Sequence, residues 1–346
     1  MLLLIWISCL FIPIFASNKE TKLCINGKTN KDWKFVYDLF EDNFLQDRDL
    51  GASVAVYYQG ELVVDLWGGW FDESKTKSYA KDTLQMVFST TKGIVATAVA
   101  LCVQRGLLSY SDLVTKYWPE YGQNGKENTT VADVLSHRAG VPFISATFDQ
   151  TRNWSAMIRA IELLTPLWPP GTAFGYHAGT FGFIAGELVR RVDPKKRTLG
   201  EFIRDEIAQP LDVELYIGLP SNNIHRVSPV GLKSNATFDG YAPYSDWNDP
   251  RTWEAEIPGG NGITNTRSLA KMYASLIGNV DGKKGERFLK ETILRQAIKS
   301  NTLPGELDFI LRLPGTFAMG YILLEDFFPY LGPDVFGHSG KIRPLT

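Results

Sequence analysis

The chain has 346 residues, 44% hydrophobic and 21% charged, an ordinary globular balance with length for one large domain or two that share an interface. A net charge of −2 provides no basic surface for nucleic acid. Three cysteines and four scattered histidines show no zinc spacing, so neither a metal nor a disulfide framework is expected.

The chain opens with MLLLIWISCLFIPIFAS, apolar from Leu2 to Phe15. A run of about 14 residues is too short to span a bilayer comfortably and matches the core of a signal peptide over 1–17, with Ala16 or Ser17 at the cleavage point. No Lys or Arg precedes it, so the alternative is an uncleaved signal anchor that tethers the protein to a membrane. Sequons at Asn128, Asn153 and Asn235 agree with a secretory route and a glycoprotein. No other segment is long and apolar enough to cross a membrane.

Next, DWKFVYDLFEDNFLQD places Trp33, Val36, Phe40 and Phe44 on one helical face. ASVAVYYQGELVVDLWGGW predicts two strands, 52–58 and 61–67, hinged at Gln59-Gly60. Residues 71–82 are polar and loop-like. From Gly93 to Cys102 the sequence is apolar or small throughout, the mark of a helix buried on every side, with Gly106 as its stop. Helices are expected at 131–138, 154–165, 178–192, 198–207 and 266–278, and strands return at 317–324 and 334–340. The cations Arg190, Arg191, Lys195, Lys196 and Arg197 end a helical stretch, where they suit the dipole and solvent. Strand, helices, strand predicts an α+β fold: an antiparallel sheet built from both chain ends (30–88 and 316–346), with a mainly helical part (89–315) inserted.

Ser-x-x-Lys occurs four times, at Ser74, Ser78, Ser89 and Ser268. The first two fall in the polar loop. Ser268 opens an amphipathic helix from which Lys271 can reach water. Ser89 alone stands at the start of the buried helix, with Lys92 one turn on. Positions i and i+3 on a helix lie about 5–6 Å apart, so the amine can reach the hydroxyl. Burial lowers a lysine pKa, and a serine hydroxyl needs such a base to become a nucleophile. Read alone, the pair is equally a capping serine with a snorkelling lysine.

FSTTKG resembles the Ser-x-x-Lys motif of the serine β-lactamase and penicillin-binding-protein superfamily, in the branch with class C β-lactamases, family VIII carboxylesterases and animal β-lactamase-like proteins. VVDLWGGW, VADVLSHRAGVP, PPGTAFGYHAGTFGFIAGELV and GGNGITNTRSLAKMY resemble further motifs of that branch, in its order. The resemblance covers roughly residues 30–340. It implies an α+β β-lactamase/transpeptidase-like fold and a serine hydrolase that works through an acyl-enzyme, without metal or organic cofactor, on a small-molecule or peptide substrate. Ser89 would be the nucleophile and Lys92 its activator. Tyr176 would be a second base or proton shuttle, its phenol pushed toward ionisation by the lysine. His338-Ser339-Gly340 would line the substrate edge. The backbone N–H groups of Ser89 and Lys341 would form the oxyanion hole.

Two departures shape the expectation. The branch's Tyr-x-Asn reads Tyr176-His177-Ala178, which leaves His177 among the substrate contacts and removes the amide that grips a lactam. Ester, amide or peptide bonds are therefore expected ahead of β-lactams. The chain also stops six residues after Gly340, short of the two strands and helix that close the family's sheet. That predicts an unpaired edge at 334–340 and weak or no activity, and it favours a binding or scaffold role as the rival reading. Oligomeric state is not legible. His137 reads as structural. GHSGK lacks the spacing of an α/β-hydrolase nucleophile elbow, and GNVDGKK that of a P-loop.

Overall fold

The computed structural model describes residues 3–10, 24–231, 244–282, 287–325 and 328–340, with backbone alone at 3–10 and 244–245. The first sheet is wholly antiparallel. It comprises β1 (Leu3–Leu10), β2 (Ile25–Thr29), β3 (Asp49–Tyr58) and β4 (Glu61–Gly69) in the order β1-β3-β4-β2. Gln59 and Gly60 both take positive φ, 52° and 84°, the two-residue turn whose twist suits a hairpin. Val54 pairs with Leu66 and Val56 with Val64. The period-2 alternation of a strand sends Ala52, Val54 and Val56 to one face, where Val36, Phe40 and Phe44 of α1 (Lys34–Leu45) cover them. Ala55 and Tyr57 point to the other face and meet Ala270 and Ala274.

Part of the apolar opening run, Leu3–Leu10, lies along the free edge of β3 with Trp6 opposite Val54. Residues 11–23 and the sequon Asn235 fall outside the described residues. The expected late strands shorten to β9 (Ile322–Leu323) and β10 (Phe336–Gly337), which pair with each other. Among the described residues, this hairpin makes no ladder with the first sheet. A second small sheet, not expected, joins β6 (Leu215–Tyr216), β8 (Ile263–Thr264), β5 (Leu84–Met86) and β7 (Val227–Ser228), in that order.

The main core surrounds α2 (Thr91–Gln104), in which every residue from Thr91 to Cys102 is buried. It ends as expected: Gly106 at φ 69° lets Leu107 N–H reach back to Cys102 O (3.0 Å), a glycine-dependent stop. Around it pack α3 (Val131–Leu135), α4 (Trp154–Glu162), α5 (Phe181–Val192), α6 (Leu199–Ile203) and α7 (Thr266–Ile277). The basic cluster at the end of α5 pairs locally. Arg190 and Arg191 meet Glu187, and Arg197 meets Asp193, Asp205 and Glu206.

Candidate active site

Strand β5 delivers the chain to a tight turn, Phe88–Thr90, which runs straight into α2. Phe88 holds φ at 45°, a costly conformation for a bulky residue. The turn is pinned from outside. Val87 N–H donates to Gly262 O (2.9 Å), and Gly262 N–H donates to Thr91 Oγ1 (2.8 Å). Ser89 therefore stands at the positive end of a buried helix, on backbone it cannot easily leave.

Lys92 is fully buried. Its Nζ donates to Gly259 O at 2.7 Å and Ala178 O at 3.2 Å, and lies 3.3 Å from Ser89 Oγ. No carboxylate lies within ion-pair reach of it among the described residues. Burial without a counter-charge disfavours the ammonium, and the pKa falls to about 7. A neutral amine has two N–H groups for the two carbonyls and a lone pair left for the third direction, toward Ser89.

The Tyr176 phenol faces the Ser89 hydroxyl, which works to lower its pKa, and Lys92 Nζ sits 5.0 Å from its ring centroid. The expectation that lysine pushes this phenol toward ionisation is not met. Burial raises its pKa above the ordinary value and outweighs the contact with Ser89. A half-neutral lysine supplies little positive charge to oppose it.

Three of the four histidines, far apart in sequence, converge here. The His137 ring lies 4.8 Å from Tyr176 and 5.7 Å from His177, and His338 lies 6.2 Å from Tyr176. His137 is structural, as expected: Gly175 N–H donates to its carbonyl (3.0 Å) and His177 N–H to its Nδ1 (3.0 Å). His177 is not the substrate contact it was expected to be. It is buried, its Nε2 accepts from Val141 N–H (3.0 Å), and its Nδ1 lies 2.5 Å from Gly175 O. Both ring nitrogens serve the fold. His338 does reach the site, with Nδ1 2.8 Å from Ser339 O and a buried Nε2 that has no hydrogen-bond partner among the described residues. Ser339 is exposed. Gly340 runs so close to the Phe88–Thr90 turn that a Cβ there would lie 2.4 Å from Val87 O. Lys341 lies outside the described residues.

The other Ser-x-x-Lys matches dissolve. Ser74 and Ser78 are exposed. Ser268 Oγ accepts from Glu214 N–H (2.9 Å), and Lys271 pairs with Asp281 (3.0 Å) instead of reaching into water. Sequence reasoning missed the carbonyls of Ala178 and Gly259, which no side chain announces.

The Beta-lactamase family model matches residues 40–345. The chain is 32% identical to the "Esterase/beta-lactamase LipL" of Mycobacterium tuberculosis over 85% of its own length and 74% of that protein. It is 26% identical to a "Beta-lactamase" of Escherichia coli over 51% of its own length and 45% of that protein. Among solved structures, a family VIII carboxylesterase superposes with a TM-score of 0.82 at 32% identity, covering 91% of this chain and 87% of that one. A penicillin-binding protein homologue from Caulobacter crescentus gives 0.81 at 32% identity, covering 92% and 88%.

Proposed function

Because this chain belongs to the Beta-lactamase family and is a serine hydrolase acting on ester or amide bonds, we propose that Ser89 is its acylated nucleophile, with Lys92 as base and Tyr176 as proton shuttle. One observation carries the assignment: a buried amine with its pKa near 7 lies 3.3 Å from Ser89 Oγ, its other N–H groups committed to two carbonyls.

The steps follow from that geometry. Neutral Lys92 takes the Ser89 proton as Oγ attacks the acyl carbon, and the oxygen of the tetrahedral adduct develops its charge at the start of α2, where the dipole favours it. Tyr176, protonated at neutral pH and facing Ser89, donates to the departing alcohol or amine. Its phenolate is then refilled from the Lys92 ammonium. In deacylation the same pair runs in reverse to draw a proton from water. Ala178, standing where the family grips a lactam side chain with an amide, supports ester, amide or peptide substrates over β-lactams. His338 and the strand edge at Ser339-Gly340 form the substrate wall in this reading.

The test is active-site labelling. A fluorophosphonate probe should label the wild-type protein and not Ser89→Ala; labelling of Ser89→Ala at the wild-type rate would refute the nucleophile. Faster turnover of a chromogenic cephalosporin than of a nitrophenyl ester would refute the substrate preference. Secretory routing belongs to the proposal too, supported by the apolar run at 2–15 and by exposed Asn128 and Asn153; cleavage near residue 18 would take β1 off the edge of β3. N-terminal sequencing of protein from the medium should begin near residue 18, and an intact Met1 would overturn a cleaved leader.

A further inference from the structure

Tyr176 lies in irregular backbone between Thr172 and Thr180, so no helix or strand takes its amide. Three successive N–H groups there are met from outside. Those of Gly175 and His177 donate to His137. That of Tyr176 donates to Asp308 Oδ2 at 2.8 Å. The other oxygen of the same carboxylate accepts from Ile310 N–H and Leu311 N–H, both at 2.7 Å. Asp308 is 3% exposed. A buried carboxylate is tolerated only with donors around it, and these three amides are its donors.

The segment that carries Asp308 is not held by apolar burial. Leu303, Leu307, Leu311 and Leu313 are each more than half exposed. The contacts that fasten it beside Tyr176 include the Asp308 hydrogen bonds, the largely buried ion pair of Glu306 with Arg138 (2.7 Å), the Phe309 N–H donated to Phe174 O (2.8 Å) and the Phe309 ring against Trp168 (5.0 Å). The rings of His137 and Phe317 flank the Tyr176 ring and limit its tilt. They do not fix where its Cα stands; the peptides on either side of it do, the Tyr176 N–H held by Asp308 and the His177 N–H by His137.

We infer that Asp308 is a positioning residue for the reaction: by holding the Tyr176 amide it sets the reach of the phenol to Ser89. The inference rests on the shuttle role proposed for Tyr176. Displacement of a catalytic group by about 1 Å can cost roughly 100-fold in rate.

The experiment is a double-mutant cycle on nitrophenyl ester hydrolysis with Asp308→Asn, Tyr176→Phe and the double variant. Asn keeps the size and one acceptor, yet in either orientation it turns an NH₂ toward a backbone N–H. Asp308→Asn should lower kcat roughly 100-fold with KM little changed, and in the Tyr176→Phe background it should cost almost nothing more, because coupled residues are non-additive. Wild-type kcat in Asp308→Asn beside a slow Tyr176→Phe would overturn the inference, as would losses that multiply in the double variant. An Asp308→Asn protein unfolded by circular dichroism would overturn it too, by making the role one of global stability. A Tyr176→Phe enzyme as fast as wild type would instead bring down the shuttle assignment beneath it.

Discussion

The pH dependence of Ser89 acylation follows from the burial of one amine. An unperturbed lysine at 10.5 would be neutral in only about one molecule in 3,000 at pH 7; with its pKa at about 7, Lys92 is neutral in about half. Protonation removes the base, so the acylation rate should fall on the acid side with a midpoint near pH 7. About a tenth of the plateau should remain at pH 6 and about a hundredth at pH 5. Among the described residues, none of the other groups shifted at the site titrates there. Burial holds His338 at about 3 and His177 at about 4. It also holds His137 well below 6.5 and keeps the Tyr176 phenol protonated above its ordinary range. Burst kinetics with nitrophenyl acetate across pH 5–9 give the profile. His338→Asn should lower the plateau and leave the midpoint in place. A flat profile, a midpoint above 9, or a limb that vanishes in His338→Asn would refute the reasoning.

Two further outcomes test the frame around the site. Gly340→Ala must push the strand end away from Val87 O, so esterase assays should show at least a tenfold loss in kcat/KM in a protein that still unfolds cooperatively. Phe40→Ala empties a fully buried position between α1 and the sheet; urea unfolding should report a loss of about 3–5 kcal/mol.

How much of this was legible depends on where the determining contacts lie. The face of α1, the Gln59-Gly60 hairpin and the buried α2 follow from local periodicity, and each stands where the pattern places it. The choice of Ser89 among four matches came from the same source, because burial all round a helix is written in ten consecutive residues. The second sheet was invisible, since strands of two or three residues exist only through partners such as Ile263 opposite Met86. So were Gly259 O, 167 residues from Lys92, and Asp308, 132 residues from Tyr176. The ionisation of Tyr176 was misjudged for an energetic reason: the desolvation that neutralises the lysine also protects the phenol's proton. His177 was misjudged because a ring beside a motif tyrosine can turn inward as easily as outward.

The central claim is that a desolvated amine takes the Ser89 proton. Intact-mass spectrometry after brief exposure to a nitrophenyl ester at pH 7.5 tests it directly, with peptide mapping and a comparison of wild type with Lys92→Met. The account predicts one acyl group per wild-type chain, on Ser89, and almost none on a folded Lys92→Met protein. Equal acylation of the two proteins, or an adduct at another residue, would contradict it.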